Sequence, residues 1–265
     1  MTASITVIKV GGSTLGQHDT SLDDIAALHA AGHPLVVVHG GGATISEWLE
    51  LHGVESRFLR GLRVTDERAL DVVVAVLAGL VNKRLVAELL GRGALAFGIS
   101  GAEGALLRAR RYDPELGFVG ELVHVDAGAL QGVAAGGAVA VLAPIAVEVE
   151  GQAVRSQLLN VNADTVAGEV AAALEAERLV FLTDVPGVLD GDGEVLPELT
   201  AAQARDLLEN GTATGGMIPK LEAALVAAAA GVPTHVVDGR EAGVLRALLA
   251  AEADEPAAAS GTRIG

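Results

Sequence analysis

The sequence predicts an α/β fold in which a largely parallel sheet is covered by helices on both faces. Half of the 265 residues are hydrophobic but only 2% are aromatic. The core must therefore be built from Val, Leu, Ile and Ala, which suits helices packed on β-branched strands. The apolar runs are continuous rather than alternating, as in strands buried on both sides. Those runs also alternate along the chain with helical patterns. A chain of this length fills one large domain or two closely joined lobes.

In order, strands are expected at 5–10 (ITVIKV), 34–40 (PLVVVHG), 94–100 (ALAFGIS), 138–149 (AVAVLAPIAVEV), 178–185 (RLVFLTDV) and 234–239 (THVVDG). Helices are expected at 21–31, 43–52, 66–91, 127–135, 163–177, 201–210, 217–230 and 241–252. Ser21 with Asp24, and Thr200 with Gln203, have the spacing of a capping box, and Thr65 precedes the acidic pair Asp66-Glu67 at a helix start. Residues 105–125 read as hairpin-like strands, and 145–162 as a further hairpin with Gly151 at its turn. ADEPAAAS (253–260) reads as a surface connection, and the GTRI that follows as an edge strand. Two lobes meeting near residue 177, 1–176 and 177–265 within a single domain 1–265, fit this pattern.

Composition excludes several functions. The chain has no cysteine, so disulfides, thiolate metal sites and cysteine nucleophiles are ruled out. Its net charge is 18 − 34 = −16, with only short basic clusters such as Arg108, Arg110 and Arg111. Nucleic acid is not an expected partner. No apolar run reaches about 18 residues without a charge, and the chain enters its first strand with no basic leader. No membrane partner is expected, and the expected location is cytoplasmic.

Glycine clusters follow two of the expected strands, Gly11-Gly12 after 5–10 and Gly40-Gly41-Gly42 in VVVHGGGAT (36–44). Parallel sheets bind ligands at the carboxyl ends of their strands, where glycine lets backbone N–H groups approach an anion. Neither the common phosphate loop nor the dinucleotide fingerprint is present, so tight turns fit the glycines equally well. Lys9 interrupts an otherwise buried strand. Either it snorkels from an edge strand, or it is paired and needed. Lys220, in TGGMIPK (214–220), lies in the first turns of a helix, facing solvent or a site. Asn160, Asn162 and Asp164 share one face if the backbone is extended, but Asn and Asp also begin helices. The acidic, glycine-rich stretch after 181–184 fits a hairpin turn.

The order of these features resembles a known family. Lys9-Val10-Gly11-Gly12, VHGGG, RGLRVTD (60–66), NVNAD (160–164), LTDVPGVLD (182–190), GGMIPK (215–220) and GTRI (261–264) are similar to the motifs of the amino acid kinase family. The wording of GLRVT and NVNAD resembles the branch that phosphorylates N-acetyl-L-glutamate. The match covers nearly the whole chain. It implies a three-layer αβα sandwich around an open, mainly parallel sheet of about eight strands. The N-terminal lobe would hold the amino-acid substrate and the C-terminal lobe ATP. The γ-phosphoryl group would pass to the side-chain carboxylate, giving N-acetyl-L-glutamyl 5-phosphate, a step of arginine biosynthesis.

The resemblance also implies roles. Lys9 and Lys220 would act on the transition state, with Asp164 between them holding both. Gly11, Gly12 and Gly41 would bind phosphate. Gly41, Gly42, Arg63 and Asn160 would bind the amino-acid substrate, with Arg63 on its α-carboxylate. Asp184, Val185, Pro186, Gly187, Val188 and Leu189, together with Thr212, Ala213 and Thr214, would line the nucleotide pocket. Mg²⁺ would arrive with the nucleotide, leaving no metal site of the protein's own. The chemistry agrees, because a carboxylate is already a nucleophile near neutral pH and needs no general base. His39 accordingly reads as structural, and Trp48 and Leu49 as core or subunit contacts.

Related kinases acting on carrier-protein-linked aminoadipate or glutamate tend to lack the third glycine and NVNAD. A catalytically silent regulator would be expected to lack one of Lys9, Asp164 and Lys220, and an NAD-dependent dehydrogenase would need the missing fingerprint. Against the arginine-inhibited forms, the chain lacks the extra N-terminal helix, and its C-terminal region differs from the arginine-binding pattern. The expectation is a homodimer insensitive to arginine, with a PII-type regulator left open as a partner.

Overall fold

The computed structural model describes residues 4–11, 20–250 and 261–265. The chain opens on β1 (Thr6–Val10), followed by α1 (Ser21–Ala30), β2 (Leu35–His39) and α2 (Gly42–Leu51), which starts on the glycine triplet. A short hairpin, β3 (Phe58–Leu59) and β4 (Leu62–Arg63), turns through Arg60 and Gly61, both at positive φ. Helices α3 (Glu67–Val74) and α4 (Asn82–Gly91) are joined without a break by a π-helical stretch, residues 75–81. Next come β5 (Ala96–Ser100), β6 (Leu107–Arg111), β7 (Gly120–Val125), α5 (Gly128–Ala135), β8 (Val139–Ala143), β9 (Ile145–Glu150), β10 (Ala153–Asn160) and α6 (Ala163–Ala173). The remainder is β11 (Arg178–Thr183), β12 (Glu198–Leu199), α7 (Ala201–Glu209), α8 (Met217–Ala229), β13 (Thr234–Asp238), α9 (Val244–Ala250) and β14 (Thr262–Ile264).

Eight strands form the main sheet in the order β12-β14-β13-β11-β1-β2-β8-β5. From β13 to β5 every pairing is parallel; β14 runs antiparallel to β13 and carries β12 with it. The sheet crosses residue 177 unbroken, since β1 pairs with β2 on one side and β11 on the other. Strand periodicity sorts the core into two layers. Val7, Val36 and Val38 face a cluster with Val166 and Val170 of α6 and Leu221 and Ala224 of α8. Ile8, Val10 and Val37 face a cluster built from α1 to α4 and α9, including Ile25, Leu49, Val73, Leu85 and Leu245. The fold is thus the expected αβα sandwich around a mainly parallel sheet.

Some local expectations change. The run 138–149 is two strands, because Pro144 has no N–H for the ladder. β9 leaves the main sheet there and joins a four-stranded sheet, β10-β9-β6-β7, containing both expected hairpins. Gly151, at φ 60°, makes the β9–β10 turn. Ser21 does not cap α1. Thr20 holds the cap position without a side-chain bond, and the buried Asp24 instead accepts from Arg246 Nε at 2.8 Å and Leu245 N at 3.2 Å, tying α9 to α1. Asp66 rather than Thr65 caps α3, accepting from Ala69 N at 2.8 Å. Thr200 and Gln203 form the capping box as expected. Helix α6 stops at Ala173, with Glu175 at φ 46° in the turn that follows. GTRI forms β14, but it lies inside β12 rather than at the edge. Residues 253–260 fall outside the described residues. Among the described residues no helix is long and apolar enough to cross a membrane.

Candidate active site

Lys9 is the fourth residue of β1, and period two puts it on the face of Val7, toward α6 and α8. β1 lies between β11 and β2, so the edge-strand reading of Lys9 is excluded; the side chain is only 9% exposed. Its Nζ stands 2.8 Å from Asp164 Oδ1, as an ion pair rather than an aligned hydrogen bond. Lys220 approaches from α8, placing Nζ 3.2 Å from Asp164 Oδ2 and donating also to the Gly216 carbonyl at 3.2 Å. One carboxylate therefore separates two ammonium groups. Burial lowers the Lys9 pKa, Lys220 adds to this, and Asp164 opposes both. For Asp164, burial alone would raise the pKa, but the two lysines override it and hold the carboxyl below its ordinary value.

Local sequence explains why Asp164 is free for this. The alternation of Asn160, Asn162 and Asp164 does not continue as strand: β10 ends at Asn160 and α6 begins at Ala163. Asn162 supplies the cap, its Oδ1 accepting from Asp164 N at 2.8 Å and Thr165 N at 3.2 Å. The carboxylate of Asp164, within the first turn, is left to the lysines. Its distance from Lys220 depends on a close crossing of α6 and α8. A Cβ on Gly168 would fall 2.7 Å from the Ala223 carbonyl oxygen and 2.9 Å from its Cα, so backbone would have to move. Alanine is favoured over glycine inside a helix by about 1 kcal/mol, whereas overpacking costs about 1–3 kcal/mol. Gly168→Ala should therefore lower the midpoint of urea unfolding and the turnover together. A stabilised variant would show that the crossing tolerates the methyl group.

Beside the lysines lies a cavity of about 340 Å³, lined by residues including Lys9, Gly41, Gly42, Arg63, Asn160 and Asp164. Arg63 is buried at 8% exposure. Its guanidinium donates to Gly42 O at 3.0 Å, Ser46 Oγ at 2.9 Å and Ser56 Oγ at 2.5 Å, and lies 4.6 Å from the Phe58 ring centroid. Among the described residues no carboxylate pairs with it. Burial lowers its pKa. A buried cation held in place by neutral groups suits an incoming anion. Asn160 also lines the cavity, its Nδ2 donating to Thr65 Oγ1 at 3.2 Å, and Thr65 in turn donates to Arg63 O at 2.9 Å.

The structure therefore brings Lys9, Lys220, Asp164, Gly41, Gly42, Arg63 and Asn160 to one place at the carboxyl ends of β1 and β2. Gly11 follows β1 directly, and Gly12 lies outside the described residues. The residues expected around a nucleotide are not part of the cavity. Asp184 lies close enough to Lys9 and Arg240 to act on their charge. Gly187 packs on Thr262, and Val188 donates its N–H to Thr262 Oγ1 at 2.8 Å. Val188 and Ala213 bury their side chains in the core, which leaves only their backbone for a ligand. Thr212 N donates to Asn210 Oδ1 at 2.9 Å, and Thr214 O accepts from Met217 N at 3.0 Å. Sequence reasoning missed Ser46, Ser56 and Phe58 around Arg63, and Thr65 behind Asn160. The RGLRVTD stretch contained a signal only for Thr65, which reads as a helix start rather than as part of the site.

Residues 4–238 match the model of the amino acid kinase family, and the chain belongs to that family. It is 47% identical over 237 residues to an acetylglutamate kinase of Dehalococcoides mccartyi, covering 89% of this chain and 87% of that one. It is 45% identical over 250 residues to an acetylglutamate kinase of Solibacter usitatus, covering 93% and 95% of the two chains. Among solved structures it resembles a Streptococcus mutans protein with a TM-score of 0.80 and 31% identity, covering 98% of each chain. A carbamate kinase from Giardia lamblia bound to AMP-PNP, at 16% identity and a TM-score of 0.70, covering 100% of this chain and 99% of that one, shares the fold.

Proposed function

We propose that the chain transfers the γ-phosphoryl group of ATP to the side-chain carboxylate of N-acetyl-L-glutamate, the reaction named for its acetylglutamate kinase relatives. The observation that carries this reading is the convergence of two lysines on Asp164 beside a cavity containing a buried arginine that has no acidic partner among the described residues. Phosphoryl transfer asks mainly for positioning and for positive charge around the equatorial oxygens. Lys9 and Lys220 supply that charge at the γ-phosphoryl group, and Asp164 keeps them apart and oriented. Arg63 takes the substrate's α-carboxylate, Asn160 and the Gly41-Gly42 backbone bind the same molecule, and the reacting carboxylate points toward Lys9.

In this reading ATP lies on the side of residues 177–265, along 184–189 and 212–214, and residues 1–176 hold the amino acid. Mg²⁺, when bound, neutralises charge on the phosphates. The two Asp164 oxygens face lysines, so in this reading the nucleotide would bring the metal with it. Among the described residues no group of three His, Asp or Glu side chains is arranged to hold it. We further propose a cytoplasmic homodimer acting in arginine biosynthesis.

Hydroxylamine trapping with ATP and Mg²⁺ tests the reaction. Hydroxamate should form with N-acetyl-L-glutamate and not with glutamate, aspartate or acetyl-aminoadipate. Signal with another acid would reassign the substrate, and no signal with any would leave a silent homologue. Arg63→Ala should raise the KM for N-acetyl-L-glutamate about 10–100-fold with little change in kcat, because the contacted carboxylate does not react. A selective rise in the KM for ATP would place Arg63 elsewhere.

A further inference from the structure

His39 ends β2 immediately before the glycine triplet and is fully buried. Strand periodicity turns it to the face opposite Lys9, toward the π-helical stretch and the start of α4. There it meets Asn82, also fully buried, with Asn82 Nδ2 3.1 Å from His39 Nε2. The neighbours of Asn82 fix its amide. Lys83 Nζ can only donate, and does so to Asn82 Oδ1 at 3.0 Å; the Val141 carbonyl can only accept, and does so from Nδ2 at 2.9 Å. The amide group facing His39 is therefore a donor, and the imidazole nitrogen it meets must be the unprotonated one. The ring proton is then on Nδ1, which lies 3.0 Å from Gly40 O and donates to it. Burial, with Lys83 and Lys9 adding repulsion, lowers the His39 pKa to about 4 against the Gly40 bond that opposes it. The ring is neutral at physiological pH.

The consequence lies one atom further on. A trans peptide points its carbonyl and its N–H in opposite directions. A Gly40 carbonyl drawn to His39 thus turns the N–H of Gly41 the other way, and Gly41 lines the cavity together with Lys9 and Asp164. The other end of Gly40 is fixed too, its N–H donating to Val10 O at 3.2 Å, one residue after Lys9. No described residue accepts from the Gly41 N–H. The π-helical stretch supports the same turn, since a Cβ on Gly41 would meet Leu77 Cδ2 at 2.8 Å.

We propose that His39 is a positioning residue: seated on Asn82, it holds the Gly40 carbonyl and thereby aims the Gly41 N–H at the phosphoryl group in transfer. This rests on the phosphoryl-transfer reading above. It assigns the histidine a part in the reaction with no proton transfer.

Two substitutions separate the ring's two contacts. His39→Asn places an amide N–H near the reach of Nδ1 and gives up Asn82. His39→Gln, one bond longer, keeps a polar group for Asn82 and gives up Gly40. The Gln variant should lose about 10–100-fold in kcat, somewhat less than removal of a transition-state donor. The Asn variant should stay within about threefold of the unmodified protein; in the Gln variant the fall in kcat should exceed any rise in the KM for N-acetyl-L-glutamate, to which the Gly41 backbone also contributes. Equal kcat in the two variants, or an effect confined to KM, would overturn the proposal. So would a ¹⁵N spectrum showing His39 protonated on Nε2, a readout that needs no substrate. Absence of turnover in the unmodified protein would instead remove the reading on which the proposal rests.

Discussion

Asp164→Asn should reduce kcat by about 10²–10³-fold and remove about 3–5 kcal/mol of stability at neutral pH. The substitution keeps shape and removes only charge. It leaves the ammonium groups of Lys9 and Lys220, now 2.8 and 3.2 Å from a neutral amide in a buried site, with no anion between them. Two further effects distinguish this from a general loss of fold. Asp164 is the main influence holding the Lys9 pKa up against burial and Lys220. Without it Lys9 loses its proton more readily, so the variant's residual kcat should fall as pH rises through a range where the unmodified protein is flat. The second effect is on stability. The folded-state pKa of Asp164 is depressed, so its contribution is present above the unfolded value of about 4 and lost as pH falls through the folded value. The gap between the two proteins should thus narrow in acid. Urea unfolding at pH 7 and pH 3, with a pH profile of kcat, measures both. A variant as stable as the parent at pH 7, with a flat pH profile, would mean that Asp164 does not bind the lysines together.

What the sequence made legible follows from range. Continuous Val-rich runs between helical stretches revealed the parallel sheet because each is a local pattern tens of atoms long. Pro144 inside the 138–149 run was a local signal too, but the run reads as one strand, and the structure divides it there into β8 and β9. Lys9 shows the limit. Its cost in a buried strand was visible, but an edge and a centre look the same in one strand, and only the neighbours β2 and β11 decide between them. The partners of Arg63 lie 7, 17 and 21 residues away, and besides its neighbour Lys83 those of Asn82 come from three strands, β2, β5 and β8. No periodicity encodes such contacts. The same holds for Gly168 against Ala223, where the signal exists only once two helices have crossed. The assignment of 184–189 and 212–214 to a nucleotide rests on resemblance alone, since strand-then-turn describes many hairpins.

Lys220→Ala should be the cleaner of the two large kinetic losses, about 10²–10³-fold in kcat with the fold nearly intact. Three features separate it from Asp164→Asn. Asp164 retains Lys9 at 2.8 Å, so no carboxylate is stranded. A like-charge neighbour of Lys9 is removed, and alanine is the best helix former at a position inside α8. Stability should fall by no more than about 1–2 kcal/mol, the worth of one charged hydrogen bond. N-acetyl-L-glutamate should still bind, because Arg63, Asn160, Gly41 and Gly42 all belong to elements other than α8. Calorimetric titration of the variant with N-acetyl-L-glutamate, beside its kcat, separates binding from chemistry. Retained affinity with lost turnover places Lys220 at the phosphoryl group. Lost affinity would put it on the amino acid instead, and Lys9 would then face the transferred group with only backbone N–H groups to help.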